Sequence, residues 1–126
     1  MKLQPDSINA QSISGYGVGW ISIGSEKIYT SMVIGSRGER FEWLCLRFED
    51  LCADHFAKVA AMKPELIIFG SGARLRFPQA ACIKPLIEQQ IGIETMDTQA
   101  ACRTYNILAG EGRHVALAVL IEAGLG

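Results

Sequence analysis

The sequence predicts a single α/β domain spanning residues 1–126, and three observations predict it. Two wholly apolar runs, Leu66–Phe69 and Val115–Ile121, are too short for anything but interior strands or buried helix segments. From Glu49 onward, segments with helical spacing alternate with strands. Glycine-rich turns punctuate the first third, so a β-rich N-terminal part is expected to feed a layered βαβ-type unit.

Each element has its own signal. Ser12–Gly24 (SISGYGVGWISIG) mixes apolar and small residues as a strand with glycine kinks would, and Lys27–Gly35 reads as its partner across a Gly24-Ser25-Glu26 hairpin turn. Ser36–Arg40 (SRGER) makes a further turn. Phe41–Arg47 alternates, with Phe41, Trp43, Cys45 and Arg47 on one face and Glu42, Leu44 and Leu46 on the other. A helix is expected over Glu49–Met62, with Leu51, Cys52, Phe56, Val59 and Ala60 as its apolar stripe and Pro64 as its stop. Leu66–Phe69 follows as a strand buried on both faces. A second helix lies within Gln79–Gln90, either kinked at Pro85 or starting at Ile83 or Lys84 with Pro85 in its first turn. Gly92–Met96 is a short strand. Asp97 is a good N-cap for a helix from Thr98 to about Ala109, which Gly110 or Gly112 ends. Arg113–Ile121 contains the last strand.

Composition narrows the function classes. Of the 126 residues, 49% are apolar and 20% charged, which favours a globular chain over a disordered one. The net charge of −1 argues against broad binding to nucleic acid or to an anionic membrane, because both need clustered Lys and Arg. The longest apolar run has seven residues, against roughly 20 for a spanning helix, so no membrane insertion is expected. The start, MKLQPDSINA, has no signal-peptide stretch, and a cytoplasmic location is the default expectation. Cys45, Cys52, Cys82 and Cys102 fit no zinc pattern and are expected to be free, buried thiols; neither a metal nor a cofactor is expected.

The loop Gly70-Ser71-Gly72, with Arg74 and Arg76 after it, is the first candidate site. A loop leaving a buried parallel strand lies where α/β folds commonly bind ligands, and glycine amides can form an anion-binding nest. The phosphate motifs themselves are absent. Leu75 stands where G-x-G-x-x-G needs glycine, and no Lys follows the loop. A purely structural loop is the plainer reading. The second candidate is the helix after Asp97, where Gln99, Arg103, Asn106 and Gly110 share a stripe and Thr98 stands at the start. Arg103 with Asn106 suits a carboxylate or a carbonyl, although a solvated polar face is the simpler reading. No nucleophile–base pair stands out. Ser71 is outside any G-x-S-x-G, and His55 and His114 are far apart with no motif around either.

The runs Pro64–Pro78 and Gly92–Leu120 resemble the small Mth-type domain family of unknown function. The resemblance is carried by Gly70, Gly72, Phe77 and Pro78, and by Met96, Thr98, Ala101, Thr104, Tyr105, Asn106, Glu111 and Arg113. The family includes a mitochondrial respiratory complex I assembly factor and an adipogenesis-associated protein. The resemblance implies a three-layer α/β domain, with a mixed central sheet flanked by helices and an additional N-terminal β layer. It also implies a non-catalytic interaction or assembly-type factor with a protein partner. The alternative is a binding protein or enzyme with a site for a small anionic or carboxylate ligand, formed by Gly70, Ser71, Gly72, Arg74, Arg76, Thr98, Arg103 and Asn106. That alternative requires the glycine loop and the start of the Asp97 helix to line one cleft.

Overall fold

A computed structural model of the chain describes residues 11–122. In chain order the strands are β1 (Ile13–Gly17), β2 (Trp20–Ile23), β3 (Glu26–Ile28), β4 (Met32–Gly35), β5 (Arg40–Glu42), β6 (Leu66–Gly70), β7 (Gly92–Met96) and β8 (Val115–Val119). The helices are α1 (Ala53–Ala60), α2 (Ala80–Glu88) and α3 (Thr98–Gly110), and Phe48–Asp50 forms a 3₁₀ turn.

The two apolar runs sit side by side. β6 pairs with β8 in parallel, from Leu66 opposite Val115 to Gly70 opposite Val119. β7 pairs in parallel on the other edge of β6, and β4 and β5 continue antiparallel beyond β8, giving a mixed five-stranded sheet in the order β5-β4-β8-β6-β7. Successive residues of these strands point to opposite faces, and both faces are covered, so both sets must be apolar. Ile34, Ile68, Leu117 and Val119 pack under α3, with Ala101, Cys102 and Tyr105. Val33, Ile67, Phe69, Ala116 and Ala118 pack under α1 and α2, with Trp43, Phe56 and Leu86. Trp43, Phe56 and Phe69 meet edge to face at centroid distances of 5.4–5.9 Å, a favourable geometry for aromatic pairs.

The N-terminal β layer is a separate antiparallel sheet, β1-β2-β3, lying on the α3 side. The two long strands expected for Ser12–Gly24 and Lys27–Gly35 are each broken. Gly19, with φ of 79°, turns the chain between β1 and β2. The second break falls between β3 and β4, where the chain leaves one sheet for the other, so Met32–Gly35 pairs with β8 and β5 instead of with β2. The Gly24 turn joins β2 to β3 as expected.

Three further boundaries differ from the sequence pattern. Regular pairing ends at Glu42, yet Trp43 and Cys45 stay buried while Leu44 and Leu46 are exposed, so the alternation survives beyond the strand. The helix expected from Glu49 starts at Ala53, because Leu51 and Cys52 are extended between it and the 3₁₀ turn. α2 starts at Ala80, which leaves Pro85 in its interior; the carbonyl that loses its partner belongs to Ala81, an exposed residue that water can reach. α3 runs as read, with Asp97 Oδ1 accepting the Ala100 N–H at 3.0 Å.

Candidate functional site

The parallel pairing of β6 with β7 sends both strands out at the same sheet edge, with Phe69 opposite Thr95 and Gly70 opposite Met96. The glycine loop after β6 and the first turn of α3 after β7 therefore meet, and the Thr98 N–H donates to Gly72 O at 2.8 Å. The β1–β2 turn closes over them. Between these parts lies a cleft of about 410 Å³, bounded by Tyr16–Trp20, Gly72–Ala73, Asp97–Gln99 and Leu120–Glu122. The wall from the turn is aromatic and apolar. Trp20 lies against Gly17, where a side chain would collide with the indole, and Lys27 Nζ stands 4.3 Å from the Trp20 ring centroid.

Of the eight candidate ligand residues, Gly72 and Thr98 line this cleft, and the others are engaged elsewhere or turned outward. Gly70 is at the end of β6 under α3; a Cβ there would come within 3.2 Å of Ala101 Cβ, so glycine serves close helix–sheet packing. Ser71 is fully buried. Its N–H donates to Met96 O at 2.8 Å, its hydroxyl donates to Arg74 O at 2.8 Å, and its Oγ accepts the Arg76 N–H at 2.9 Å. Arg76 binds Ser71 O and Glu122 Oε1, each at 2.6 Å, and lies over the Phe48 ring. Arg74 is exposed. Arg103 reaches Tyr16 Oη at 3.2 Å, on the rim. Asn106 bonds the β layer instead: Ile13 N–H donates to its Oδ1 at 2.9 Å, and its Nδ2 donates to Ile13 O at 2.8 Å.

Several donors near the loop are already engaged. The Ser71 amide is spent on Met96 O, the Thr98 amide on Gly72 O, and the Ala100 amide on the carboxylate of Asp97. Among the described residues, the ionisable side chains on the cleft lining are Tyr16, Asp97 and Glu122, with no Arg or Lys. Burial works against the charge on Glu122. The Arg76 side chain and the Phe48 N–H outweigh it and hold the carboxyl below the usual carboxylate range. The lining is mostly apolar and aromatic, and its carboxylates are engaged: Glu122 by Arg76 and the Phe48 N–H, and Asp97 by the Ala100 N–H.

Sequence reasoning missed two features. Tyr16–Trp20 supplies a whole wall of the cleft, and its signal was the Gly-Val-Gly turn before a tryptophan. The other feature is a Cys–His pair. Cys52 is exposed rather than buried, and its Sγ lies 3.4 Å from His55 Nδ1. The C-x-x-H spacing at a helix start was its only sequence signal.

Known proteins place the fold firmly. A crystal structure of a protein from Bordetella parapertussis is 32% identical, with a TM-score of 0.84 over 90% of this chain and 97% of that one. A Mth938-like domain of Bordetella pertussis, solved in solution, is 28% identical, with a TM-score of 0.81 over 97% of this chain and 93% of that one. Human NADH dehydrogenase (ubiquinone) 1 alpha subcomplex assembly factor 3 is 28% identical over 85 residues, which are 66% of this chain and 46% of that protein. The chain spans about half the length of the assembly factors it matches. Among the described residues no helix is long and apolar enough to cross a membrane. A family model matches residues 13–120, nearly the whole described chain, and the chain belongs to that family, described as proteins of unknown function (DUF498/DUF598).

Proposed function

We propose that this protein is a non-catalytic interaction or assembly-type module that holds a segment of a partner protein in the cleft between the Tyr16–Trp20 turn and the start of α3. The observation that carries the proposal is the cleft's construction. An apolar, aromatic wall faces the first turn of α3, whose Thr98 and Ala100 amides are already hydrogen-bonded, so the site offers shape and apolar contact rather than a reacting group. Val18, at the tip of the turn, is 69% exposed, an apolar side chain placed for contact. Similarity to an assembly factor supports the same reading.

The test compares the protein with Val18→Asp in affinity capture from its native cell, read by quantitative mass spectrometry. A partner retained by the first and lost by the second supports the reading. A partner set unchanged by the substitution overturns it.

A small molecule is the second reading, favoured by the cleft volume of about 410 Å³, which falls within the usual range of ligand sites. Its chemistry would be neutral, because the arginines are engaged elsewhere or outside the cleft and Glu122 is itself paired with Arg76. Thermal-shift screening separates the two: a ligand at about 100 times its dissociation constant stabilises by roughly 2.7 kcal/mol.

A further inference from the structure

The Cys52–His55 pair takes no part in the cleft. Cys52 precedes α1, and His55 lies in its first turn, three residues on. His55 Nε2 is 2.9 Å from Leu44 O. A carbonyl oxygen only accepts, so in the neutral ring Nε2 carries the hydrogen and Nδ1 presents its lone pair. That lone pair faces Cys52 on two counts: the Cys52 N–H donates to it at 3.1 Å, and Sγ lies 3.4 Å away. The core holds the imidazole in place. Trp43 is 2% exposed, donates its Nε1–H to His55 O at 2.9 Å and meets the ring edge-on at a centroid distance of 6.0 Å. A nucleophile within reach of a base, with the base oriented by a third group, is the arrangement that activates thiols. The other three cysteines are buried.

We propose that Cys52 is a modifiable thiol that exchanges with low-molecular-weight disulfides, with His55 as the base. His55 Nδ1 takes the Sγ proton, and the thiolate attacks one sulfur of the disulfide. A bond forms between Sγ and that sulfur while the reagent's S–S bond breaks. The second sulfur leaves with the electron pair and takes the proton from His55. Cys52 is oxidised to a mixed disulfide, and half of the reagent is reduced to a free thiol. Glu49, Asp50 and Asp54 flank the cysteine in sequence, so a cationic disulfide is preferred to an anionic one.

The experiment exposes the full chain to cystamine and, separately, to glutathione disulfide, following adducts by intact mass and peptide mapping. The expected result is one adduct, on Cys52, forming faster with cystamine. Cys52→Ser should abolish it. His55→Gln is the discriminating variant, because glutamine at this position can still accept the Cys52 N–H as a capping residue but is no base. Its rate should fall by about tenfold or more, with helix content by circular dichroism unchanged. The urea-unfolded protein gives an internal reference that needs no variant: Cys52 should react faster in the folded chain than in the unfolded one. An adduct on another cysteine overturns the proposal. So does a His55→Gln rate equal to that of the unsubstituted protein, or a folded rate no higher than the unfolded one.

Discussion

Asn106→Ala should destabilise the protein by about 1–2 kcal/mol, because Asn106 ties the N-terminal β layer to α3. Its side chain pairs with both backbone groups of Ile13, 93 positions away in sequence, at 2.9 and 2.8 Å. An amide side chain here does what a neighbouring strand would do for the edge of β1. Two neutral hydrogen bonds contribute about 0.5–1.5 kcal/mol each, and their loss leaves Ile13 N–H and C=O without these partners. Alanine returns up to about 0.7 kcal/mol through its better helix propensity, which sets the net estimate. Asn106→Asp keeps the acceptor for the Ile13 N–H but turns a carboxylate oxygen toward Ile13 O, so it should lose at least as much. Urea unfolding followed by tryptophan fluorescence measures both variants, and amide hydrogen exchange at Ile13 gives a local readout. In a domain of this size, 1 kcal/mol moves Tm by about 3–6 °C. A change below about 0.5 kcal/mol, with exchange at Ile13 unaltered, refutes the clamp and returns Asn106 to the list of candidate ligand residues.

Gly72→Ala should cost about 1–3 kcal/mol, since Gly72 has φ of 108° and an added Cβ would sit 2.8 Å from Arg76 Nη2; an unchanged urea midpoint would contradict this. Glu122→Gln should cost about 2–4 kcal/mol at pH 7, because the Glu122 side chain is 8% exposed and the substitution strands Arg76, which urea titration measures. The folded state holds the Glu122 carboxyl below its ordinary value, so its stabilisation is complete at neutral pH and is lost as pH falls from about 5 toward the folded pKa. Glu39, paired with His114 at 2.8 Å, is lowered in the same direction despite opposing desolvation. Acid unfolding of Glu122→Gln should therefore be less steep below about pH 5, and a slope equal to that of the unsubstituted protein would refute the assignment. Burial pushes the Cys45 and Cys102 thiols up to about 11 and about 12, so at pH 8 both should resist iodoacetamide until urea unfolds the chain; labelling of either in the folded protein would show that the core opens.

Sequence alone determined the parts of this protein that depend on periodicity and local chemistry. The continuous apolar runs at Leu66 and Val115 became adjacent central strands, since only residues apolar on both faces can lie between two covered layers. Asp97 began α3, because an N-cap acts within its own turn. The shared edge of the glycine loop and α3 was legible too, as parallel strands must exit together. Tertiary structure alone decided what each polar group binds. Asn106 and Arg103 lie on one helical stripe, yet the first meets Ile13 and the second Tyr16, on a β layer that is distant in sequence. Arg76 turned from a candidate ligand donor into the partner of Glu122, 46 positions away. The break between β3 and β4 was equally hidden. Met32–Gly35 has the pattern of a strand in either sheet, and the pairing with β8 that settles it is a long-range contact. Strand and helix periods are written in neighbouring residues, whereas hydrogen-bond partners and the choice of sheet are set by which surfaces come together once the layers pack.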